Sequence, residues 1–316
     1  MNILVTGACG YKGSVLVPKL LKNGYKVQAL DIMWFGNFLP RHDNLQIIQQ
    51  DVRDVEKIDL EGIDCIIHLS SVANDPCGDL NPKLTWEISC LATMQLADKA
   101  MREGVKHFIY ASSGSVYGLK KEKNVTEDLP LVPLSEYNKT KMVAERVLES
   151  YQDKMVVQIV RPATVCGLSP RMRLDVSVNL LTMQALKKGN ITVLGGEQTR
   201  PNIHIDDITD LYLFLLSNKN ITGVFNAGFE NLKIIEIAKI IRKKTNAKIE
   251  VKESEDPRSY RVNSDKLLAT GFKPKKNVAI AIEEIINAVS SNELTDEKKH
   301  YNLLWMRDKV FQESLQ

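Results

Sequence analysis

The sequence predicts an α/β protein, a doubly wound parallel sheet followed by a smaller C-terminal α/β substrate domain. Three observations carry that reading. Short apolar runs alternate with helix-length amphipathic stretches up to Pro162, a glycine-rich turn joins the first run to the first helix, and beyond Pro162 the pattern turns irregular. Strands that are apolar on both faces and linked by helices belong to parallel sheets covered on both sides.

Asn2-Ile3-Leu4-Val5 opens a buried strand that runs into Thr6-Gly7-Ala8-Cys9-Gly10-Tyr11-Lys12-Gly13. A helical pattern over 14–22 follows, closed by Asn23-Gly24. Pro18 removes a helix bond to the Ser14 carbonyl, which a first-turn position or a mild kink tolerates. The next apolar run, 26–30, ends on Asp31, 18 residues beyond Gly13. Gly7 lets the chain turn off the strand, Gly10 lets the backbone approach a pyrophosphate, and Gly13 lets the helix pack on the sheet. The helix N-terminus offers free N–H groups to phosphates. Asp31 is placed to accept hydrogen bonds from both adenosine ribose hydroxyls and to repel a 2′-phosphate. Strand, turn, helix and acid in this register define a Rossmann-type site for NAD.

Further strands are expected at 45–50, running into Asp51-Val52-Arg53-Asp54, then at 64–69, 107–112 and 155–161. Helices are expected at 84–102, stopped by Gly104, and at 136–151. Ligands of such sheets bind beyond the carboxyl ends of the strands. There lie Asp31, Asp51, His68-Leu69-Ser70, Ser112-Ser113 and Arg161-Pro162. Residues 1–165 read as the dinucleotide-binding domain. Residues 166–316 read mainly as the substrate domain, interleaved with returns to the main sheet. In this half helices are expected at 176–188, 206–216, 234–244 and 278–290, and strands at 191–194, 224–226 and 248–252. A polar helical tail spans 295–310.

Composition adds bounds. Of 316 residues, 44% are hydrophobic and 26% charged, as in an ordinary globular chain. The net charge of +3 is spread over interleaved acids and bases, which argues against nucleic acid as a partner. Five widely spaced cysteines, Cys9, Cys65, Cys77, Cys90 and Cys166, read as free buried thiols of a reducing compartment. No two of the five histidines have ligand spacing, so no metal is expected. No apolar run approaches ~20 residues, so no membrane span is expected and the location reads as cytoplasmic.

The chemistry falls between residues 112 and 141. Ser112-Ser113-Gly114-Ser115 follows the fifth strand, and Tyr137 and Lys141 lie four apart on one face of the next helix. A phenol near pKa ~10 is a poor base at neutral pH. A lysine ammonium and an oxidised nicotinamide beside it both favour the phenolate. Tyr137 then takes a hydroxyl proton while hydride leaves the same carbon, with Ser113 sharing the hydroxyl's hydrogen bond.

Together these residues resemble the extended short-chain dehydrogenase/reductases, the NAD-dependent sugar-nucleotide epimerases and dehydratases. Thr6-Gly7-x-x-Gly10-x-x-Gly13 is similar to that family's glycine signature, and Asp51-Val52 to its adenine-contacting pair. Ser113, Tyr137 and Lys141 match its catalytic serine, tyrosine and lysine. The resemblance implies cofactor contacts at Gly7, Gly10, Tyr11, Lys12, Gly13, Asp31, Asp51, Val52, Leu69, Ser70, Tyr137 and Lys141. It implies substrate contacts at Ser115, at Thr164 in the loop after the sixth strand, and at Arg200, matching the arginine that holds the nucleotide diphosphate. Arg258 or Arg261 matches a later nucleotide-sugar contact. The helices at 84–102 and 136–151 correspond to those that related enzymes pair in a homodimer.

Departures sharpen the reading. The Asp-Glu pair of the family's 4,6-dehydratases is replaced by Gly114-Ser115, so the acid and base for eliminating water are missing. Ser89 stands where the family usually has asparagine. The stretch Ser169-Pro170-Arg171-Met172-Arg173-Leu174-Asp175 is similar to a loop of GDP-heptose 4-dehydrogenases. It is either a solvated surface turn or a place where Arg171 or Arg173 binds phosphate or sugar hydroxyls. His68 reads as a strand-end residue fixing the cofactor loop. Trp34 and Phe35 either cover the adenine or simply pack. The leading expectation is NAD-dependent oxidation at C4 of a nucleotide-diphosphate sugar, as a 4-dehydrogenase or 4-epimerase. The alternatives are a 4-keto-sugar reductase with the same triad and a non-catalytic NAD sensor or scaffold.

Overall fold

The computed structural model describes residues 1–122, 124–254 and 259–310. The first half runs β1 (Asn2–Thr6), α1 (Gly13–Lys22), β2 (Lys26–Asp31), β3 (Leu45–Gln49), β4 (Cys65–His68), α2 (Asp75–Leu80), α3 (Pro82–Trp86), α4 (Ala92–Arg102), β5 (His107–Ala111), α5 (Glu136–Glu149) and β6 (Val156–Pro162). The second runs β7 (Thr164–Cys166), α6 (Ser177–Lys188), β8 (Asn190–Leu194), β9 (Thr199–His204), α7 (Ile205–Ser217), β10 (Gly223–Ala227), β11 (Glu230–Lys233), α8 (Ile234–Thr245), β12 (Lys248–Lys252), α9 (Asp265–Leu268), α10 (Val278–Ser290) and α11 (Asn302–Trp305).

The main sheet has the order β10-β6-β5-β4-β1-β2-β3, every pair parallel. Register brings Thr6 beside both Leu30 and His68, so three strands end together at the point where strand order reverses. That switch point is where such sheets open a ligand crevice. Both faces are covered. On one side Leu16, Val17 and Leu20 of α1 meet Ile208, Leu211 and Leu215 of α7, and on the other Leu96 and Ala97 of α4 meet Ala144 and Leu148 of α5.

The second half does not separate cleanly. α7 and β10 return to the main sheet, whereas β11-β9-β7 and β12-β8 form small sheets. α6, α8 and α10 supply much of a further apolar cluster. Pro18 lies in the second turn of an unbroken α1, not its first. The helix expected over 84–102 starts at Pro82, capped by Asn81, and contains a π-helical turn at Glu87–Leu91. The tail is not one helix. A 3₁₀ turn at Lys298–His300 leads into α11, because tertiary bonds govern this segment: Asn302 N–H donates to Asp175 at 3.1 Å, and Trp305 Nε1 donates to the Trp34 carbonyl at 2.7 Å. All five cysteines are free and buried. Among the described residues no helix is long and apolar enough to cross a membrane.

Candidate active site

A cavity of about 760 Å³ opens over the carboxyl ends of the central strands. Its floor is the glycine turn. Gly7 has φ +69°, and a Cβ there would lie 2.7 Å from the Ser70 nitrogen, so only glycine lets β1 and β4 approach this closely. A Cβ on Gly13 would collide with the carbonyl oxygens of Gly7 and Ala8. Asp31 accepts from Cys9 N–H at 2.9 Å and Met33 N–H at 2.7 Å. Burial raises its carboxyl pKa, against those two bonds and the nearby Arg171. Tyr11, Lys12, Asp51, Val52, Leu69 and Ser70 line the same cavity. Asp51 is paired with Arg53 at 2.7 Å. These features fit a dinucleotide, with closed glycine packing beneath, Gly10 on the cavity wall and an acid at the end of β2.

His68 is wholly buried between Thr6 Oγ1 at 2.6 Å and Thr93 Oγ1 at 2.9 Å. Burial drives its pKa down to about 3, leaving a neutral ring that ties the strand end to α4. Ser89, at the π-helical turn, accepts from Val72 N–H at 3.1 Å.

At the opposite end α5 begins with Ser135 capping the Asn138 N–H at 3.2 Å, which sets Tyr137 in the first turn. Ser113 lies at the end of β5, its Oγ 2.6 Å from Ser115 Oγ. Ser115 in turn donates to Asn138 Oδ1. Ser115 therefore bridges Ser113 to the tyrosine's helix. Lys141 Nζ donates to the Ala111 carbonyl at 2.8 Å and lies 6.0 Å from the Tyr137 ring centroid. Burial dominates both groups: Tyr137 is pushed up to about 12, held back by the Ser113 hydroxyl, and Lys141 is pushed down to about 7 by burial and then by Lys12. The lowered phenol pKa expected from the lysine is thus not seen in the protein alone. Behind the site, Arg161 pairs with Glu145 at 2.7 Å, both almost wholly buried, and Glu145 also accepts from Ser112.

The basic loop is not a solvated turn. Ser169 and Arg171 are each 4% exposed. Ser169 Oγ donates to the Tyr11 carbonyl at 2.8 Å, and Tyr11 OH donates to the Gly167 carbonyl at 2.7 Å, stitching the loop to the glycine turn. Arg171 stacks 3.7 Å over the Phe35 ring and donates to Asn302 at 2.7 Å, which places it at the Asp31 end of the cavity. Phe35 and Trp34 line that end too. Arg173 is paired with Asp175 at 2.8 Å. Thr164, Ser115 and Arg200 also line the cavity. Arg261 is exposed and outside the cavity lining, and its carbonyl accepts from Val125 N–H at 2.8 Å. Arg258 lies outside the described residues.

Lining residues that sequence reasoning missed include Asn74, Asp75, Tyr260 and Asn302. Asn74 has φ +79° and donates to Asp175 at 3.2 Å. No local spacing marks these positions, although Tyr260 stands beside the arginines singled out above. His204, Asp206 and Glu284 cluster as a metal site might, but Lys276 Nζ lies 2.6 Å from Asp206 and 2.5 Å from Glu284, so an ammonium already bridges the carboxylates.

Fold and site define a dinucleotide-dependent enzyme class. The chain belongs to the NAD dependent epimerase/dehydratase family, which it matches over residues 3–228. It is 28% identical over 306 residues to a putative UDP-glucose 4-epimerase of Methanocaldococcus jannaschii, covering 93% of this chain and all of that one. It is 30% identical over 305 residues to UDP-glucuronic acid decarboxylase 1 of Danio rerio, covering 90% of this chain and 71% of the relative. Among solved structures, UDP-glucuronic acid 4-epimerase from Bacillus cereus in complex with UDP-glucuronic acid and NAD superposes with a TM-score of 0.80, at 29% identity, over 92% of this chain and all of that one.

Proposed function

We propose that this protein binds NAD and oxidises C4 of a nucleotide-diphosphate sugar, acting as a 4-dehydrogenase or 4-epimerase. The observation that carries the reading is Ser113 and Tyr137 on one wall of the cavity, with Lys141 buried behind them, its Nζ 6.0 Å from the Tyr137 ring centroid, and Gly114 and the bridged Ser115 where a dehydratase needs acids. Bound NAD supplies the hydride acceptor. Tyr137 takes the proton of the C4 hydroxyl, and Ser113 holds that hydroxyl in line. Lys141 is held by Ala111 and stands over the Tyr110 ring, 4.8 Å from its centroid. In this reading its ammonium form favours the Tyr137 phenolate. At the other end Asp31 takes the adenosine ribose. Arg200 is the cation for the substrate's diphosphate. Epimerases and a decarboxylase among the relatives both fit an initial oxidation at C4.

The test is a screen of nucleotide sugars in D₂O with NMR of the first product. A C4 epimer without net NADH selects epimerase, and a 4-keto sugar with accumulating NADH selects dehydrogenase. A 6-deoxy product or deuterium at C5 contradicts oxidation at C4 alone, and released carbon dioxide keeps that oxidation but overturns the dehydrogenase-or-epimerase assignment. The assembly that fits is a homodimer through α3–α4 and α5. An apolar groove there is lined by Trp86, Cys90, Leu91, Met94 and Val143.

A further inference from the structure

The catalytic cavity contains a cation that the chemistry above does not use. Lys12, between the second and third glycines, lines the cavity with Tyr137. Its Nζ lies 6.0 Å from the ring centroid of the wholly buried Tyr212, at the outer reach of a cation–π contact. Arg173 lowers the Lys12 pKa, and Lys12 in turn lowers that of Lys141. Arg173 has Asp175 as its counter-ion, but among the described residues no carboxylate pairs with Lys12. Burial, and then Arg173, push Lys12 down to about 8.

A partly buried ammonium without a counter-ion acts on whatever charge binds beside it, because the site screens it poorly. In the functional reading above, on which this inference rests, the redox-active ring of the dinucleotide lies at the Tyr137–Lys141 end. That ring is positive when oxidised and neutral when reduced, whereas the pyrophosphate is the same in both states.

We infer that Lys12 sets the redox preference of the site, its charge disfavouring oxidised NAD relative to NADH and so making the bound cofactor a stronger oxidant. A contact to the pyrophosphate strengthens both forms alike and cancels in the ratio of their dissociation constants. Only a charge sensed by the ring alters that ratio.

The experiment is calorimetric titration of the full chain with NAD and with NADH, without sugar, in wild type, Lys12→Met, Lys12→Gln and Lys12→Arg. The ratio Kd(NAD)/Kd(NADH) is expected to fall about tenfold in Lys12→Met and Lys12→Gln and to stay unchanged in Lys12→Arg. Two neutral variants guard against one that fails to fold, which melting curves identify. Equal weakening of both forms makes Lys12 a phosphate contact and overturns the inference, as does an unchanged ratio or a fall in Lys12→Arg as well. If wild type binds neither form, the NAD reading itself fails. If the ratio shifts as expected but no sugar is oxidised, only the C4 assignment fails.

Discussion

Gly78 and Tyr137 touch across α2 and α5, so closely that a Cβ built on Gly78 would lie 3.0 Å from both the backbone nitrogen and the Cβ of Tyr137. The tyrosine thus rests on a helix surface with no side chain between them. Gly78→Ala improves helix propensity by up to ~1 kcal/mol but displaces Tyr137 by a few tenths of an ångström. Turnover is expected to fall about tenfold with little change in Tm, since reacting groups tolerate small misplacement poorly. Steady-state kinetics beside a melting curve checks this.

Tyr137→Phe removes the base and leaves the ring. NAD and sugar binding should persist while kcat falls by ~10²-fold or more. Lys141→Met should act similarly by withdrawing the charge that favours the phenolate. Equal kcat in Tyr137→Phe and wild type would assign the proton transfer elsewhere.

Asp31 and Arg171 face the same end of the cavity, where burial raises the Asp31 carboxyl and Arg171 adds a small opposing pull beside the two backbone bonds. The preference for NAD therefore rests on an acid whose opposing cation is already in place. Asp31→Ala should raise NADP(H) affinity at least about tenfold, because a repelling charge is lost and Arg171 becomes available to a 2′-phosphate. Adding Arg171→Ala should cancel the gain. Fluorescence titration with NADH and NADPH reads both effects.

Much of this site was legible in the sequence because its parts are local. The glycine turn, Asp31 and the Tyr137–Lys141 pair lie within single strand–helix units, where spacing dictates geometry. Contacts between distant segments were not legible. Arg171 stacks on Phe35, 136 positions earlier, so nothing near residue 171 signals an aromatic partner. Ser115 has the right place for a substrate contact but meets Asn138, which only the docking of α5 against the β5 loop reveals. The burial that raises the Tyr137 phenol in the protein alone was not legible either, since it depends on the whole cavity and not on the i,i+4 lysine. The tail reads as helical from its periodicity, yet long-range bonds to Trp34 and Asp175 reshape it.

Buried lysines and thiols shape the pH dependence of stability in opposite directions. Lys141 and Lys12 have folded-state pKa values of about 7 and about 8, against 10.5 when free. Between those values the unfolded chain binds more protons, so stability rises with pH. The Cys9 and Cys77 thiols are raised from 9.0 to about 12, so above pH 9 the unfolded chain sheds protons that the folded one keeps, and stability falls. Tm should climb from pH 7 to about 9 and drop beyond, with a flatter climb in Lys141→Met. Calorimetric scans across that range check it.

Leu91 is 48% exposed in the apolar groove of the α3–α4 segment. Sedimentation should give a dimer at micromolar concentration, and Leu91→Glu should shift it to monomer by placing a charge in the interface. A wild-type monomer would remove the dimer reading.

The bond from Trp305 to the Trp34 carbonyl joins positions 271 residues apart, and Asn302 beside it walls the Asp31 end of the cavity. The glycine turn is built from neighbouring residues, whereas this wall depends on a contact of very large sequence separation. The nucleotide groove is thus walled at its Asp31 end by a contact between segments very far apart in sequence, so it is complete only once the Trp305 segment has docked on the Trp34 loop.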